Sequence, residues 1–269
     1  MSDTGYALPT SQRTPNAVPR TAFVTGSSKR VGRAIALKLA HAGWNIAIHY
    51  GSSAEEAEEV ANLARKAGVQ ATTLQGDLTV EDEVTPLIDL AVAALGPVGL
   101  LVNNASIFEP DRLHSVSRRS WDKHMEANLR APVVLMQNFA RALPAEADGA
   151  IVNILDQRVR NPTEDFLSYT LTKNALWGLT RTLALDLAPR IRVNGVGPGP
   201  ILPSVHQSSD LFERQAASTP LQHGSDPGEI ADGVLYLATA KSVTGQMIAV
   251  DGGQHLWWAP PGRDTPGDS

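Results

Sequence analysis

The chain has 269 residues, 42% of them hydrophobic and 19% charged, with a formal net charge of -5. That balance suits one large globular domain with a sizeable core, and it gives no basic bias toward nucleic acid or a membrane surface. The absence of cysteine excludes disulfides, thiolate metal sites and a Cys nucleophile.

No apolar run reaches the roughly 18 residues that a bilayer span needs. The amino terminus lacks the apolar core of a signal peptide, so a cytoplasmic protein is expected. The seven histidines are scattered, with no His-Glu-x-x-His pattern, and no catalytic metal is expected.

Residues 1–19 are polar, with Pro9, Pro15 and Pro19 and no period, and read as a mobile leader. Thr21–Thr25 is a short apolar strand that runs into Gly26-Ser27-Ser28-Lys29-Arg30-Val31-Gly32, and a helix follows to about Gly43. A strand, a glycine turn and a helix can present backbone N–H groups and a helix amino terminus to a pyrophosphate. The Gly-x-Gly-x-x-Gly spacing is absent, because Arg30 stands where a middle glycine would be. The second strand, Trp44–Tyr50, ends in Gly51-Ser52-Ser53 with no acidic residue to take a ribose 2′-hydroxyl. Lys29, Arg30, Ser52 and Ser53 could instead take a 2′-phosphate, or the serines could simply cap the next helix.

The alternation continues with a helix over 54–67, a strand over 71–75 ending at Gly76-Asp77-Leu78, and a helix over 81–95. Further strands are predicted at 99–103, 150–155, 191–196 and 247–250, and a long helix at 120–143 carries Asn128 near its middle. Repeated βα units of this length predict an α/β, doubly wound Rossmann-type fold: one domain over 20–258, with a parallel seven-stranded sheet and helices on both faces. Residues 202–225 read as a substrate lid or a surface excursion, and residues 259–269 as a flexible tail.

Such sheets bind ligands beyond the carboxyl ends of their strands, where the glycine turn and the start of the Tyr169 helix both fall. In that helix Leu171, Ala175, Leu176, Leu179 and Leu183 recur on one face at helical spacing. Tyr169 and Lys173 are four apart and share a face. An ammonium beside a phenol of pKa ~10 favours the phenolate and brings the group toward working pH. A surface Tyr-Lys pair would show the same spacing.

Thr25-Gly26 with Gly32, Asp77-Leu78, Asn103-Asn104-Ala105, Asn128, Tyr169 with Lys173, and Pro198-Gly199, in this order, resemble the short-chain dehydrogenase/reductase family from about Arg20 to Leu256. Three departures, Asp156 where the family has serine, Arg30 in the glycine turn, and Asn104-Ala105-Ser106-Ile107-Phe108-Glu109-Pro110 after the fourth strand, look like the pteridine reductases, as does His49-Tyr50 before a serine. The resemblance implies NADPH as cofactor. The residues that would hold it are Gly26, Lys29, Arg30, Val31, Gly32, His49, Tyr50, Ser53, Asp77, Leu78, Asn104, Ala105, Ser106, Tyr169, Lys173, Pro198, Gly199 and Ile201. It implies a substrate site of Arg30, Ser106, Phe108, Asp156 and Tyr169, with Phe108 stacked on a pterin ring. It also implies a catalytic group of Asp156, Tyr169 and Lys173, with Asn128 holding a water, and a homotetramer packed through the helices around 120–143 and 166–187. Gly51-Ser52 lacks the basic side chain often seen in that subgroup.

Taken on its own chemistry, Phe108 could offer a flat face to a heterocycle or serve as a loop anchor. A carboxylate beside Tyr169 opposes tyrosinate formation, so Asp156 either orients the phenol, relays a proton, or marks a site that has drifted. The expected function is NADPH-dependent reduction of a dihydropterin or a similar heterocycle. The alternatives are reduction of a ketone such as a 3-oxoacyl thioester, and NADPH sensing without turnover.

Overall fold

The computed structural model describes residues 13–201, 213–214 and 216–256. Seven parallel strands form one sheet in the order β3-β2-β1-β4-β5-β6-β7. They are β1 (Thr21–Val24), β2 (Asn45–Tyr50), β3 (Ala71–Gln75), β4 (Leu100–Asn103), β5 (Gly149–Ile154), β6 (Ile191–Pro198) and β7 (Met247–Val250). The order reverses between β1 and β4, and the crevice at such a switch point opens above their carboxyl ends.

The helices are α1 (Arg30–His41), α2 (Ala54–Lys66), α3 (Glu81–Val84), α4 (Leu87–Leu95), α5 (Arg118–Met125), α6 (Ala131–Ala142), α7 (Leu167–Asp186) and α8 (Pro227–Thr239). Each strand feeds two cores, because successive side chains point to opposite faces. In β1, Ala22 and Val24 join the core under α1, α2 and α8, with Leu39, Val60 and Val234. Phe23 joins the other, with Ile88, Leu135, Phe139 and Leu176.

Two predicted helices are each divided. The 81–95 helix breaks at Thr85-Pro86, where proline lacks the N–H that would continue the ladder. The 120–143 helix is α5 and α6 joined by a π turn, Glu126–Arg130, with Asn128 inside it. The expected apolar face of α7 is also corrected. Leu176 is buried, but Leu171 and Ala175 are exposed. The helix instead buries Tyr169, Thr172, Lys173, Leu176, Thr180 and Ala184. Polar residues fill that face because they have partners there: Thr180 Oγ1 accepts from Asn153, whose own amide oxygen accepts from Asn103.

Residues 13–19, read from sequence as part of a mobile leader, are tied to the domain. Arg13 pairs with Asp148 and donates to the Pro189 carbonyl. Asn16 N–H donates to the same carboxylate, and Asp148 N–H donates to Ala17 O. Residues 202–212 and 215 of the predicted 202–225 lid, and the 259–269 tail, lie outside the described residues.

Candidate active site

The glycine turn between β1 and α1 is set by close packing. Gly26 has φ +59°, and a Cβ on Gly32 would lie 2.2 Å from Gly26 O, so neither position admits a side chain without rebuilding the turn. Asn104 Nδ2 donates to the carbonyls of Thr25 and Gly26, and the N–H groups of Asn104 and Ala105 both donate to Thr25 Oγ1. The loop after β4 is thereby fastened to the loop after β1. No side chain caps α1, so its first-turn N–H groups remain for an anion.

His49 lies beneath this turn rather than in the crevice. It is buried; its Nδ1 accepts from Gly26 N–H, and its Nε2 faces Gly76 O at 3.0 Å. Those partners require the neutral Nε2–H tautomer, and burial lowers its pKa to about 4. It holds two loops together and presents no nitrogen to a ligand. Lys29 is exposed and pairs with Glu56 of α2 at 2.7 Å, and this contact depresses the Glu56 pKa. Arg30 opens α1 at φ +50° with an exposed side chain. Val31 is half-buried against the core, as are Tyr50 and Ile201. Ser53 starts α2 without a side-chain cap bond. Asp77 bonds Thr79 through backbone and hydroxyl, which lowers its pKa, and Leu78 packs against the second core. Pro198 ends β6, and a Cβ on Gly199 would meet Asp251.

Tyr169, Lys173, Asp156 and Phe108 converge. Tyr169 Oη donates to Asp156 Oδ2 at 2.8 Å. Asp156 also accepts from Arg158 N–H at 2.8 Å and pairs with the Arg158 guanidinium at 3.1 Å. Lys173 Nζ donates to Ile154 O at 2.8 Å and lies 5.5 Å from the Tyr169 ring. Phe108 meets Tyr169 edge to face at 4.7 Å and stacks on Phe166 at 4.0 Å. The Arg158 guanidinium lies 5.5 and 5.3 Å from the two phenylalanine rings. Ser106 is exposed nearby in sequence, with only a long contact to Ile107 O.

The electrostatics reverse one expectation. Tyr169 does not have a lowered pKa. Burial first, and then Asp156, push it well above 10, and Arg158 offsets part of this. Lys173 is itself lowered to about 8 by burial, with Asp156 opposing. In the chain alone the phenol is therefore held protonated by burial first and then by the carboxylate it bonds.

The Asn128 side chain clasps the backbone of Ile107, accepting from the N–H and donating to the carbonyl, each at 2.8 Å. It thus fixes the chain just before Phe108.

The sequence reading missed Arg158, Phe166 and a buried cluster beneath Tyr169. Asp111 accepts from Ser168 N–H at 3.0 Å and from the Ser168 hydroxyl. His124 Nδ1 lies 2.7 Å from Ser168 Oγ, and its Nε2 accepts from Glu109 N–H. This cluster anchors the start of α7 to the loop that carries Phe108. Phe166, at φ +61° before the first turn of α7, could have been flagged only by its nearness to Tyr169. Among the described residues no group of three or more His, Cys, Asp or Glu is placed to hold a metal.

A family model described as enoyl-(acyl carrier protein) reductase matches residues 26–255. Among curated proteins, 3-oxoacyl-(acyl-carrier-protein) reductase FabG of Staphylococcus epidermidis is 35% identical over 244 residues, covering 88% of this chain and 99% of that one. The chain belongs to the short-chain dehydrogenase/reductase family. Among solved structures, FolM alternative dihydrofolate reductase 1 from Brucella suis in complex with NADP superimposes with a TM-score of 0.86 at 46% identity, covering 90% of this chain and 97% of that one. The Brucella canis FolM alternative dihydrofolate reductase 1 complexed with NADP gives 0.88 at 44%, covering 93% and 100%. As in other members of the family, the sheet and its switch-point crevice form a Rossmann-type fold.

Proposed function

We propose that the chain is an NADPH-dependent reductase that acts on a dihydropterin or a similar flat, conjugated C=N heterocycle. When bound, NADPH supplies the hydride to a ring carbon. The uncapped start of α1 and the glycine turn would take its pyrophosphate. Asn104, Ala105, Tyr169 and Lys173 would hold its nicotinamide ribose end.

The observation that carries the substrate class is the Asp156 carboxylate bonded to the Tyr169 phenol. Reduction of a ketone builds negative charge on oxygen, and a carboxylate beside that oxygen opposes it. Reduction of C=N adds a hydride to carbon and a proton to nitrogen. Protonation of that nitrogen by Tyr169 makes a cationic iminium and leaves a tyrosinate; Asp156 opposes the tyrosinate but stabilises the cation, and Arg158 offsets part of the negative charge left on the phenol. Phe108 and Phe166 supply an aromatic wall beside the phenol, suited to a flat ring. The FolM neighbours support this reading.

The FabG relatives favour a second reading, reduction of a 3-oxoacyl thioester. NADPH oxidation with 7,8-dihydropterins, set beside a 3-oxoacyl thioester and an NADH control, separates the two. Pterin turnover with NADPH is expected. Turnover of the thioester alone would transfer the assignment to ketones, and turnover of neither would favour a sensing role.

The proposed assembly is a homotetramer packed through the α5–α6 and α7 faces. The exposed Leu171, Ala175 and Leu185 on α7 support it. Among the described residues no helix is long and apolar enough to cross a membrane.

A further inference from the structure

The edge of the sheet opposite Tyr169, where the strands begin, carries a second cavity of about 360 Å³. One wall is the segment that precedes β1, including Arg13 and Arg20. The others are Trp44 before β2, Asp148 before β5, Arg190 and Arg192 around the start of β6, and Lys241 just past α8.

Among the described residues, five cations and one carboxylate line this space, in a chain whose net charge is -5. One of these cations has a carboxylate partner and another caps a helix end. Arg13 pairs with Asp148. Arg192 donates to the Leu237 and Ala238 carbonyls at 2.6 and 2.8 Å, which offsets the negative end of α8. Among the described residues, Arg20, Arg190, Arg192 and Lys241 form no ion pair with a carboxylate that lines the cavity.

Two donors here also lack acceptors. Arg190 uses Nη2 on the Leu143 and Pro144 carbonyls, but its Nε is buried with no partner. Trp44 Nε1 is likewise buried and unpartnered, beneath the Arg20 guanidinium at 5.0 Å. A buried N–H without an acceptor is uncommon and points to a missing water or ion. Surplus positive charge and two unpartnered donors therefore belong to residues that line one small concave space.

We infer that this cavity binds a compact polyanion of the phosphate type, separate from the cofactor crevice. Its volume is that of a small-ligand site rather than of a protein interface, and guanidinium forks match phosphate oxygens. An occupant would join the segment before β1 to the start of β6 and the end of α8, and it would stabilise the folded chain in proportion to its occupancy. This inference is independent of the substrate assigned to Tyr169.

The test is titration calorimetry with inorganic pyrophosphate, and separately with inorganic phosphate, on full-length protein held in saturating NADP+ so that the cofactor's own phosphate positions are filled. One pyrophosphate per chain is expected, bound more tightly than phosphate and weakening as salt rises. The Arg20→Ala/Lys241→Ala variant is expected to bind at least about tenfold more weakly, with unchanged turnover. Lys241→Ala alone, which leaves the Trp44 contact intact, guards against a folding defect and is expected to weaken binding severalfold. Absence of pyrophosphate binding to the wild type, or equal binding by wild type and both variants, would overturn the inference.

Discussion

Tyr169 donates its phenolic hydrogen to Asp156 at 2.8 Å, so the acid of the site is bonded to a neighbour that resists its ionisation. This pairing makes the chain alone a proton donor, not a tyrosinate base. Tyr169→Phe, which removes the proton and little else, is expected to lower kcat by about 10²–10⁴-fold. NADPH affinity, read by fluorescence titration, should fall far less than kcat.

Asp156 and Arg158 act on that phenol with opposite signs. Asp156→Asn is expected to lower the Tyr169 pKa and Arg158→Met to raise it further. Ultraviolet difference titration against Tyr169→Phe would read both. If the carboxylate stabilises an iminium, Asp156→Asn also loses pterin turnover, by about tenfold or more. Asp156→Ser tests the competing reading, because a gain in thioester reduction would favour the ketone assignment.

Lys173 is expected to set an alkaline limb of activity. Its pKa of about 8 means that it is charged at pH 7 and loses its proton as pH rises through 8, while Tyr169 stays protonated well above that. A fall in kcat/KM centred near pH 8 is therefore expected, since that parameter reports the free enzyme. A profile flat to pH 10 would count against this role for the lysine.

His49 gives an acid-side signature of stability. Its folded-state pKa of about 4 lies below the 6.5 of an ordinary histidine. Between those values the unfolded chain binds a proton that the folded chain does not, so stability falls as pH drops from 6.5 toward 4. The contribution of this residue from pH 7 to pH 5 is about 2 kcal/mol. Urea unfolding at both pH values, compared with His49→Gln, would measure it; equal slopes in both proteins would rule it out.

The sheet was legible in the sequence because parallel strands are short apolar runs divided by helical periods, and all seven stand at the expected positions. Tyr169 and Lys173 were legible as a pair because residues four apart share a helix face; Asp156 was legible only through the family resemblance. The rest depended on contacts made across long stretches of chain. Arg158 looks like any loop arginine until its guanidinium lies on Asp156 and two rings. His124 and Asp111 are 44 and 57 positions from Ser168, and no local period encodes their meeting. The face of α7 was misjudged because its buried side is polar and its exposed side holds leucine, which inverts the pattern that periodicity reads.

The π turn at Glu126–Arg130 settles a conflict of phase. Asn128 must turn inward to clasp Ile107, and a few residues on, Leu135 and Phe139 must turn inward to fill the core. An α-helix advances about 100° per residue, so deleting one residue there would swing either the clasp or the core face away from its target. The extra residue lets one rod keep two angular settings, one chosen by chemistry and one by packing. Shortening this helix to regular winding would therefore cost the protein one or the other.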